Sequence, residues 1–330
     1  MFPPLTRREK WGLGAGGVVF AAAMWAATLN DLDWTRSFAG AVPPDWLTWL
    51  NHSLANGEPP GLSDAVGVLF LAAALVYGAG FFPLAGGESS LARGVSSFLG
   101  RVRPWRSRTG YIMASGMLTG ILVQALKLAW ARPRPKHVFW EGHPFTPWYW
   151  PGSLPPLHDW QTGSFPSGHA ASVSVLLAFW FVFRDRGEGR QGERSGGKVR
   201  LWGGTLFLWM VLAGLPLMGY ARVFNLDHWP TDVVAGAGMG LLVPWLLARL
   251  MIPRPYLRPQ PDWSHHPMDK GAWAVHLVGN SLGLGLSFSL LVWGARQWLH
   301  LMDSGPLFLV AAGAGGLVFF SRGIWKLRNL

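Results

Sequence analysis

The sequence predicts an all-α polytopic membrane protein with about eight transmembrane helices, and three observations carry this prediction. Half of the 330 residues are hydrophobic and only 14% are charged, whereas a soluble globular domain carries about 25% charged residues. The apolar half of the chain is enough for about eight spans of about 20 residues each. The 21 Trp and 19 Phe fit the same class, because aromatic rings collect at the interface between membrane and water. This composition excludes a disordered chain and argues against an ordinary soluble enzyme.

Eight long apolar runs supply the individual helices. The run 201–220 is longer than a helix in a soluble core requires, and the run 167–183 is short for a span. A basic segment precedes the first run, as in a signal peptide, but no clean cleavage site follows, so an uncleaved anchor is expected. We expect spans over roughly 11–30, 62–86, 108–130, 167–183, 201–220, 229–250, 272–295 and 305–324.

The positions of the cations predict the orientation of the spans. The net charge is +11, which in a soluble protein would suggest nucleic-acid binding. Most Lys and Arg lie at the two termini and after the second, fourth and sixth runs, which is one side of the membrane if eight spans alternate. The positive-inside rule makes that side cytoplasmic. We therefore expect both termini in the cytoplasm of a bacterium, the chain in the inner membrane, and no nucleic-acid partner.

Seven cations remain on or near the outer side, and four of them cluster in one short segment. Lys127, Arg132, Arg134 and Lys136 crowd at the outer end of the third run, where the positive-inside rule disfavours them. Charges placed against that rule need another reason, and an anionic ligand is a natural one.

Metal-binding and thiol chemistry find little support in the sequence. The chain has no Cys, which excludes disulfides, Cys-ligated zinc and a thiol nucleophile. The outer residues His137, His143 and His158 match no metal-site spacing. We expect neither a metal nor a cofactor.

Three segments on the outer side supply the groups that phosphoryl transfer needs. Lys127, Arg134 and Arg222 offer positive charge to the oxygens over which negative charge spreads in the transition state, and the two Arg can bind bidentately. Ser167 and Gly168 stand at a predicted helix start, where a hydroxyl and backbone N–H groups can bind an anion.

Two histidines and an aspartate complete this set. His228 and Asp232 are four positions apart and share a face if they lie on a helix. The carboxylate can then hold one imidazole nitrogen while the other attacks phosphorus, and His169 can protonate the leaving oxygen. Asp227 is not expected to be the orienting acid, because adjacent residues do not face each other on a helix.

The three segments resemble the signature of the type 2 phosphatidic acid phosphatase superfamily, also called the lipid phosphatase/haloperoxidase superfamily. Its pattern is K-x6-R-P, P-S-G-H and S-R-x5-H-x3-D, and the resemblance covers about 127–232. It implies the integral membrane branch, with a six-helix lipid-phosphatase-like core. Ala221 replaces the usual Ser. Arg132-Pro133 leaves a shorter register conceivable, although the six-residue gap favours Arg134 and leaves Arg132 to assist.

The resemblance also implies a role for each matched residue. His228 is the nucleophile that forms a phospho-histidine, Asp232 orients it, and His169 is the general acid. Hydrolases of this family need no metal. The implied ligands of the substrate phosphate are Lys127, Arg134, Ser167, Gly168 and Arg222.

The predicted function is hydrolysis of a phosphomonoester or pyrophosphate of a membrane lipid at the extracytoplasmic face. Phosphatidylglycerol phosphate, phosphatidic acid, undecaprenyl pyrophosphate and a lipid A type phosphate all suit such a site. A phosphotransferase that passes the group to a lipid acceptor such as lipid A is one alternative. A non-catalytic lipid-binding or transport protein is another. We expect the phosphatase core in 1–270 and two additional C-terminal helices in 271–330, and the sequence names no oligomeric state.

Three further features have both a functional and a structural interpretation. The outer loop 136–165 is rich in aromatic residues and could be a substrate lid, a selective wall or a rigid cap. The small-residue stretches Gly236–Gly240 and Gly313–Gly316 favour close helix packing within the chain over dimerisation. The helical spacing of apolar residues in 44–55 predicts an interfacial helix, which could border a lipid entrance or simply anchor the surface.

Overall fold

The part of the chain that the structure describes is helical and contains no strand. The computed structural model describes residues 6–48, 62–79, 94–98, 100, 105–150, 163–184, 196–251, 270–301 and 307–329. The helices are α1 (Arg7–Phe38), α2 (Leu62–Ala79), α3 (Arg106–Trp130), α4 (Pro135–Trp140), α5 (Gly168–Val175), α6 (Leu177–Arg184), α7 (Gly196–Phe224), α8 (Pro230–Met251), α9 (Lys270–Leu301) and α10 (Leu307–Asn329).

The helices confirm the predicted fold class of an all-α polytopic membrane protein, since each apolar run overlaps one or two of them. Five helices in the described ranges are long and apolar enough to cross a membrane, and Gly67–Ala79 and Gly168–Phe183 form shorter apolar helices. The five long candidates are Glu9–Phe38, Arg108–Trp140, Gly204–Phe224, Pro230–Arg249 and Leu307–Lys326.

Helix α1 is longer than the predicted span 11–30. It begins at a capping box, in which the Thr6 hydroxyl accepts from the Glu9 backbone N–H at 3.3 Å and the Glu9 carboxylate accepts from the Thr6 N–H at 2.9 Å. It then continues past Asp31 to Phe38. The apolar pattern stops at Asp31 although the helix does not, because this carboxylate is buried against other helices instead of facing water.

An apolar core joins helices α2, α3, α5 and α6, α7 and α8. Its buried members include Tyr111, Leu176, Phe179 and Val243. The Tyr111 hydroxyl is also buried and donates a 2.9 Å hydrogen bond to the Pro244 carbonyl. This core fixes α3, α7 and α8 relative to one another and includes Leu176, which directly follows α5. The predicted site residues lie on or next to the ends of α3, α5, α7 and α8.

Helices α5 and α8 approach each other closely because α8 presents glycines to α5. A Cβ added at Gly236 would collide with the backbone oxygen of Ser167, and one added at Gly240 would collide with the backbone oxygen of Ala171. The two glycines are four positions apart and therefore lie on one face of α8. In the structure this stretch packs helices within the chain, in agreement with the interpretation from the sequence.

Helices α9 and α10 form an antiparallel pair, since the contacting positions rise along α9 as they fall along α10. These contacts pair Gly283 with Phe320, Ser287 with Gly316, and Leu291 with Gly313. Helix α9 also packs against α3, where Gly285 contacts Ile121. The pair is therefore attached to the rest of the bundle through α3, and the stretch Gly313–Gly316 also packs within the chain.

The start of the predicted interfacial helix packs against the end of α7. A helical turn covers residues 45–48, and residues 49–55 lie outside the described ranges. Leu47 is fully buried beside Ala221, Tyr220 and Phe224, whereas the neighbouring Trp46 is 53% exposed. Within its described part, this segment is anchored to the bundle through one buried side chain.

Candidate active site

Backbone hydrogen bonds join the three predicted segments where α3 and α7 end and where α5 and α8 begin. The Ser167 N–H donates to the Asp232 carbonyl at 2.9 Å, which ties the start of α5 to α8. The Lys136 N–H donates to the Leu226 carbonyl at 3.1 Å, which ties the segment after α3 to the turn after α7. The structure thus brings segments that are up to about 100 residues apart in the sequence to one end of the bundle.

His228 lies in the turn between α7 and α8, and its side chain is fully buried. Its Nδ1 is 2.8 Å from the backbone oxygen of Ser164. Because a carbonyl oxygen only accepts, Nδ1 carries the proton in this contact and Nε2 carries the lone pair. Nε2 is buried and has no hydrogen-bond partner within the described residues. The ring is therefore held by one nitrogen and keeps the lone pair of the other, as the predicted nucleophile requires.

The surroundings of His228 keep the imidazole neutral. Burial lowers its pKa well below the usual 6.5, and the positive charges of Lys127, Arg222 and Arg134 lower it further. A neutral ring retains the Nε2 lone pair, and the same cations would attract an anionic substrate.

Asp232 lies close to His228 but its hydrogen bonds go elsewhere. Its Oδ2 is 3.8 Å from His228 Nδ1, longer than a hydrogen bond, and accepts from the Trp229 backbone N–H at 2.8 Å. Its Oδ1 accepts from Arg132 at 2.7 Å. The sequence interpretation had the carboxylate hold the imidazole directly. In the structure the Ser164 carbonyl holds Nδ1, and Asp232 adds a negative charge next to it.

His169 is the second residue of α5 and stands beside His228. The two ring centroids are 6.4 Å apart and the ring planes are inclined at 64°. The predicted nucleophile, just before α8, and the predicted general acid, at the start of α5, thus lie close enough to contact the same phosphate group.

Ser167 is the N-cap of α5, and its hydroxyl oxygen accepts from the Ala170 backbone N–H at 3.4 Å. Accepting this bond leaves the hydroxyl proton to be donated. Gly168 is the first residue of the helix, where backbone N–H groups have no partner within the helix. The pair therefore has the geometry of the anion-binding helix start that the sequence predicts.

Asp227 gathers the cations of the site, and sequence reasoning did not give it this position. Its Oδ1 is 3.4 Å from Arg134 Nη1 and 3.2 Å from Lys136 Nζ, and its Oδ2 is 3.1 Å from Arg222 Nη2. Burial would raise the pKa of this carboxyl, but the positive charges of Arg222, Lys136 and Arg134 lower it below the usual value.

Asp227 therefore stays ionised and holds the two predicted phosphate-binding Arg in place. Arg134 keeps a buried Nε that has no hydrogen-bond partner among the described residues. That nitrogen remains available to a further anion, so the carboxylate does not exhaust the donors of the cluster.

Arg132 belongs to a different group from Arg134. It is fully buried, and its guanidinium bonds to Asp232 at 2.7 Å, to Asp31 at 2.9 Å and to the Thr231 hydroxyl at 2.8 Å. Its Nε donates to the Thr146 carbonyl at 2.6 Å. Each nitrogen of Arg132 is thus engaged behind Asp232, whereas Arg134 lies with Arg222. The geometry favours the register in which Arg134, and not Arg132, faces a phosphate.

The first half of the aromatic loop packs inward behind the site. The Trp229 ring lies between Phe139 and Phe145, at centroid distances of 5.9 and 4.9 Å. The Trp148 indole N–H donates to the Thr28 hydroxyl of α1 at 2.8 Å. Residues 136–150 therefore form a fixed wall in this structure. Residues 151–162, which include His158, lie outside the described ranges.

The histidines of the outer loop are the candidate metal ligands in the sequence. No group of three or more His, Asp or Glu side chains that could hold a metal ion occurs in the described ranges. His137 and His143 lie beside Glu141, at 3.9 and 3.7 Å, on the loop.

The comparison with known families agrees with this geometry. Residues 108–255 match the model of the PAP2 superfamily. The matched segment covers a little under half of the 330-residue chain. The match contains all eight predicted site residues and confirms the family that the motifs indicate. It leaves out α1, α2, α9 and α10. No curated protein and no solved structure matches the chain.

Proposed function

We propose that this membrane protein is a lipid phosphate phosphatase that hydrolyses a phosphomonoester or pyrophosphate of a membrane lipid through a phospho-histidine. One observation carries the proposal. His228 is a buried, neutral imidazole whose Nδ1 is held by the Ser164 carbonyl and whose Nε2 has no partner among the described residues. The match to the PAP2 superfamily supports phosphoester chemistry.

In the proposed first step the lipid phosphate binds to the cation cluster. Arg134 and Arg222, already aligned by Asp227, and Lys127 would neutralise the charge on the phosphate oxygens. The start of α5 would add donors from Ser167 and Gly168. These contacts align phosphorus with His228 Nε2 and stabilise the charge of the transition state.

Nucleophilic attack then transfers the phosphoryl group. The Nε2 lone pair of His228 forms the N–P bond while the P–O bond to the lipid breaks, and His169 gives its proton to the departing oxygen. The imidazole becomes positively charged, since Nδ1 keeps its proton. The Ser164 carbonyl and the carboxylate of Asp232, 3.8 Å from Nδ1, stabilise this charge.

Water completes the cycle. His169, now neutral, accepts a proton from a water molecule whose oxygen attacks phosphorus, and the N–P bond breaks. Inorganic phosphate leaves and His228 returns to its starting state. The protein does not need a metal for any of these steps.

The proposed location is a bacterial inner membrane, with both termini in the cytoplasm and the site facing the periplasm or the exterior. The distribution of Lys and Arg between the apolar runs supports this orientation. The substrate would enter from the outer leaflet with its phosphate at the cation cluster.

The decisive experiment is phosphate release by the full chain in detergent. The four substrates are phosphatidylglycerol phosphate, phosphatidic acid, undecaprenyl pyrophosphate and lipid A. We expect release from at least one of them and none from His228→Ala. His143→Ala, a loop histidine 38% exposed at the side chain, is the matched control and should retain activity.

Two outcomes would contradict the proposal. If the folded protein releases no phosphate from any of the four lipids, it is not the hydrolase described here. If label from a phosphate-labelled donor appears in an acceptor lipid and not in free phosphate, the protein is a phosphotransferase. A His169→Ala variant should lose about 10²–10⁴ in rate, the usual contribution of a general acid.

A further inference from the structure

We infer that Asp31, on helix α1, is a positioning residue of this site that acts through Arg132 on Asp232 and so on His228. The inference rests on the proposed function, because it assigns a part in the same phosphoryl transfer. Asp31 lies outside the segment 108–255 that matches the PAP2 superfamily. The family motifs therefore do not point to it.

The contacts of Asp31 lead directly to the predicted orienting acid. Its Oδ2 accepts from Arg132 Nη2 at 2.9 Å, and the same guanidinium donates through Nη1 to Asp232 Oδ1 at 2.7 Å. Arg132 is fully buried, and the side chains of Asp31 and Asp232 are 3% and 0% exposed. The guanidinium is thus held between two carboxylates, each bonded to a different nitrogen.

Asp31 also fixes the start of helix α8. Its Oδ1 accepts from the Thr231 backbone N–H at 2.9 Å, and its Oδ2 accepts from the Thr231 hydroxyl at 2.6 Å. Thr231 is the second residue of α8. A carboxylate at this position accepts from a backbone donor that has no partner within the helix. Its negative charge also interacts favourably with the positive end of the helix dipole. Asp232 is the next residue, so its backbone is held by the same contact.

The charge balance explains why a second carboxylate is useful. If only Arg132 and Asp232 were present, their charges would cancel, and little negative potential would remain at His228. With Asp31 the group of three carries a net negative charge. The group can then stabilise the positive charge that the imidazole acquires when Nε2 bonds to phosphorus. Buried charges act strongly on each other because little water screens them.

Arg132 transmits both effects because all its nitrogens are fixed. Its Nε is bonded to the Thr146 carbonyl at 2.6 Å, and its guanidinium carbon lies 5.2 Å from the centroid of the Trp229 ring and 5.7 Å from that of Phe145. A guanidinium held in this way cannot turn away from Asp232 when Asp31 is altered. The loss of the Asp31 charge is therefore felt at Asp232 and His228 without a large movement.

The test compares Asp31→Asn with Thr28→Val in the full chain in detergent. The first substitution keeps the size of the side chain and an oxygen acceptor but removes the negative charge. Thr28 lies one turn earlier on α1, and its hydroxyl accepts from the Trp148 indole N–H at 2.8 Å. Thr28→Val therefore also removes a contact between α1 and the wall formed by residues 136–150. Neither partner of that contact bonds to Arg132 or Asp232.

Two quantities are measured for both variants. The first is phosphate release, with kcat and KM determined separately, from whichever of the four lipids above the wild type hydrolyses fastest. The second is the affinity for orthovanadate, a phosphate analogue that can adopt the five-coordinate geometry of the transition state. The second measurement does not depend on turnover, so it tests the inference even if none of the lipids is a substrate.

We expect Asp31→Asn to lower kcat by about 10–100-fold and to weaken vanadate binding by a similar factor, by analogy with the outer partners of metal-binding histidines, whose loss costs about that much. KM should change by less than about threefold, because the phosphate ligands are untouched. Thr28→Val should keep the wild-type kcat and vanadate affinity within about threefold.

A folded Asp31→Asn protein with wild-type kcat and vanadate affinity would overturn the inference. Equal losses in Thr28→Val would also overturn it, because a general loosening of α1 would then explain them. If Asp31→Asn does not fold, Asp31→Glu provides the test, since it keeps the charge. That variant should retain kcat within about tenfold, and a complete loss of activity in the folded protein would contradict the charge argument.

Discussion

The close contact between Gly236 and Ser167 predicts that Gly236→Ala, which adds one methyl group, lowers activity much more than stability. A Cβ at Gly236 would collide with the Ser167 backbone oxygen and would lie 3.1 Å from its carbonyl carbon and 3.2 Å from its nitrogen. All three atoms belong to the backbone, so no flexible side chain can give way. The start of α5 must therefore move by about 1 Å relative to α8 in Gly236→Ala.

The two consequences of that movement differ in size. Overpacking costs about 1–3 kcal/mol of folding free energy, and replacing a helical Gly with Ala returns about 1 kcal/mol. The net loss of stability is therefore at most about 2 kcal/mol. A shift of about 1 Å between catalytic groups can cost about 10² in rate. It would displace Ser167 and His169 on α5 from His228 before α8.

The assay is phosphate release together with the thermal unfolding midpoint in the same detergent. Gly120→Ala is the matched control, since a Cβ at this position in α3 would meet no described atom within 4 Å beyond its own helical turn. We expect about a hundredfold lower kcat in Gly236→Ala with a small change of the midpoint. Gly120→Ala should keep its activity and equal or exceed the wild-type midpoint. Wild-type kcat in Gly236→Ala would refute the reasoning.

Two further predictions concern the charges of the site. Asp227→Asn leaves the buried Arg222 without its carboxylate and should lower the free energy of unfolding by about 3 kcal/mol. Inorganic phosphate should raise the unfolding midpoint of this variant more than that of the wild type. Equal shifts of the two midpoints would contradict the prediction. The pKa of His228 is lowered, so the acid limb of kcat/KM should lie below pH 6.5. Its contribution to stability is complete above that pH and is lost on acidification, and an acid limb above pH 6.5 would contradict this assignment.

The site residues that belong to short sequence motifs could be predicted from the sequence. The segments at Lys127, Ser167 and His228 stand out because charged residues interrupt apolar runs, and the structure brings the three segments together. The helices follow from the same apolar runs, because a spanning helix must satisfy its backbone groups internally.

The sequence does not favour Asp227 as a site residue, because on a helix Asp227 and His228 would face different sides. In the structure α8 begins only at Pro230, and Leu226 has a left-handed backbone with φ of 57°. This turn directs Asp227 to the cations while His228 faces Ser164. A positive φ at Leu is rare and has no sequence signal comparable to Gly or Asn, so propensity could not reveal it.

Asp31 could not be found because its partners are far away in the sequence. Thr231 lies 200 residues later and Arg132 lies 101 residues later. A lone carboxylate near the end of an apolar run resembles an interfacial residue, and only the packing of α1 against α8 shows otherwise. The six-residue gap favours Arg134 but leaves the register with Arg132 conceivable. The structure separates them by their partners, since Arg132 pairs with Asp232 whereas Arg134 lies with Arg222 beside Asp227.

The separation of Asp31 from Thr231 also affects biogenesis. The chain is made from its N-terminus, so α1 reaches the bilayer long before α8 exists. During that interval the carboxylate has neither Arg132 nor the start of α8. Its position near the end of the span makes the cost of the unpaired charge smaller than the about 2.5–3.5 kcal/mol of an acidic group at mid-membrane. The first helix is therefore held weakly until the sixth predicted span arrives and supplies its partners. Asp31, Arg132 and Thr231 can come together only after that span has been inserted, so their buried charge group is a late product of assembly.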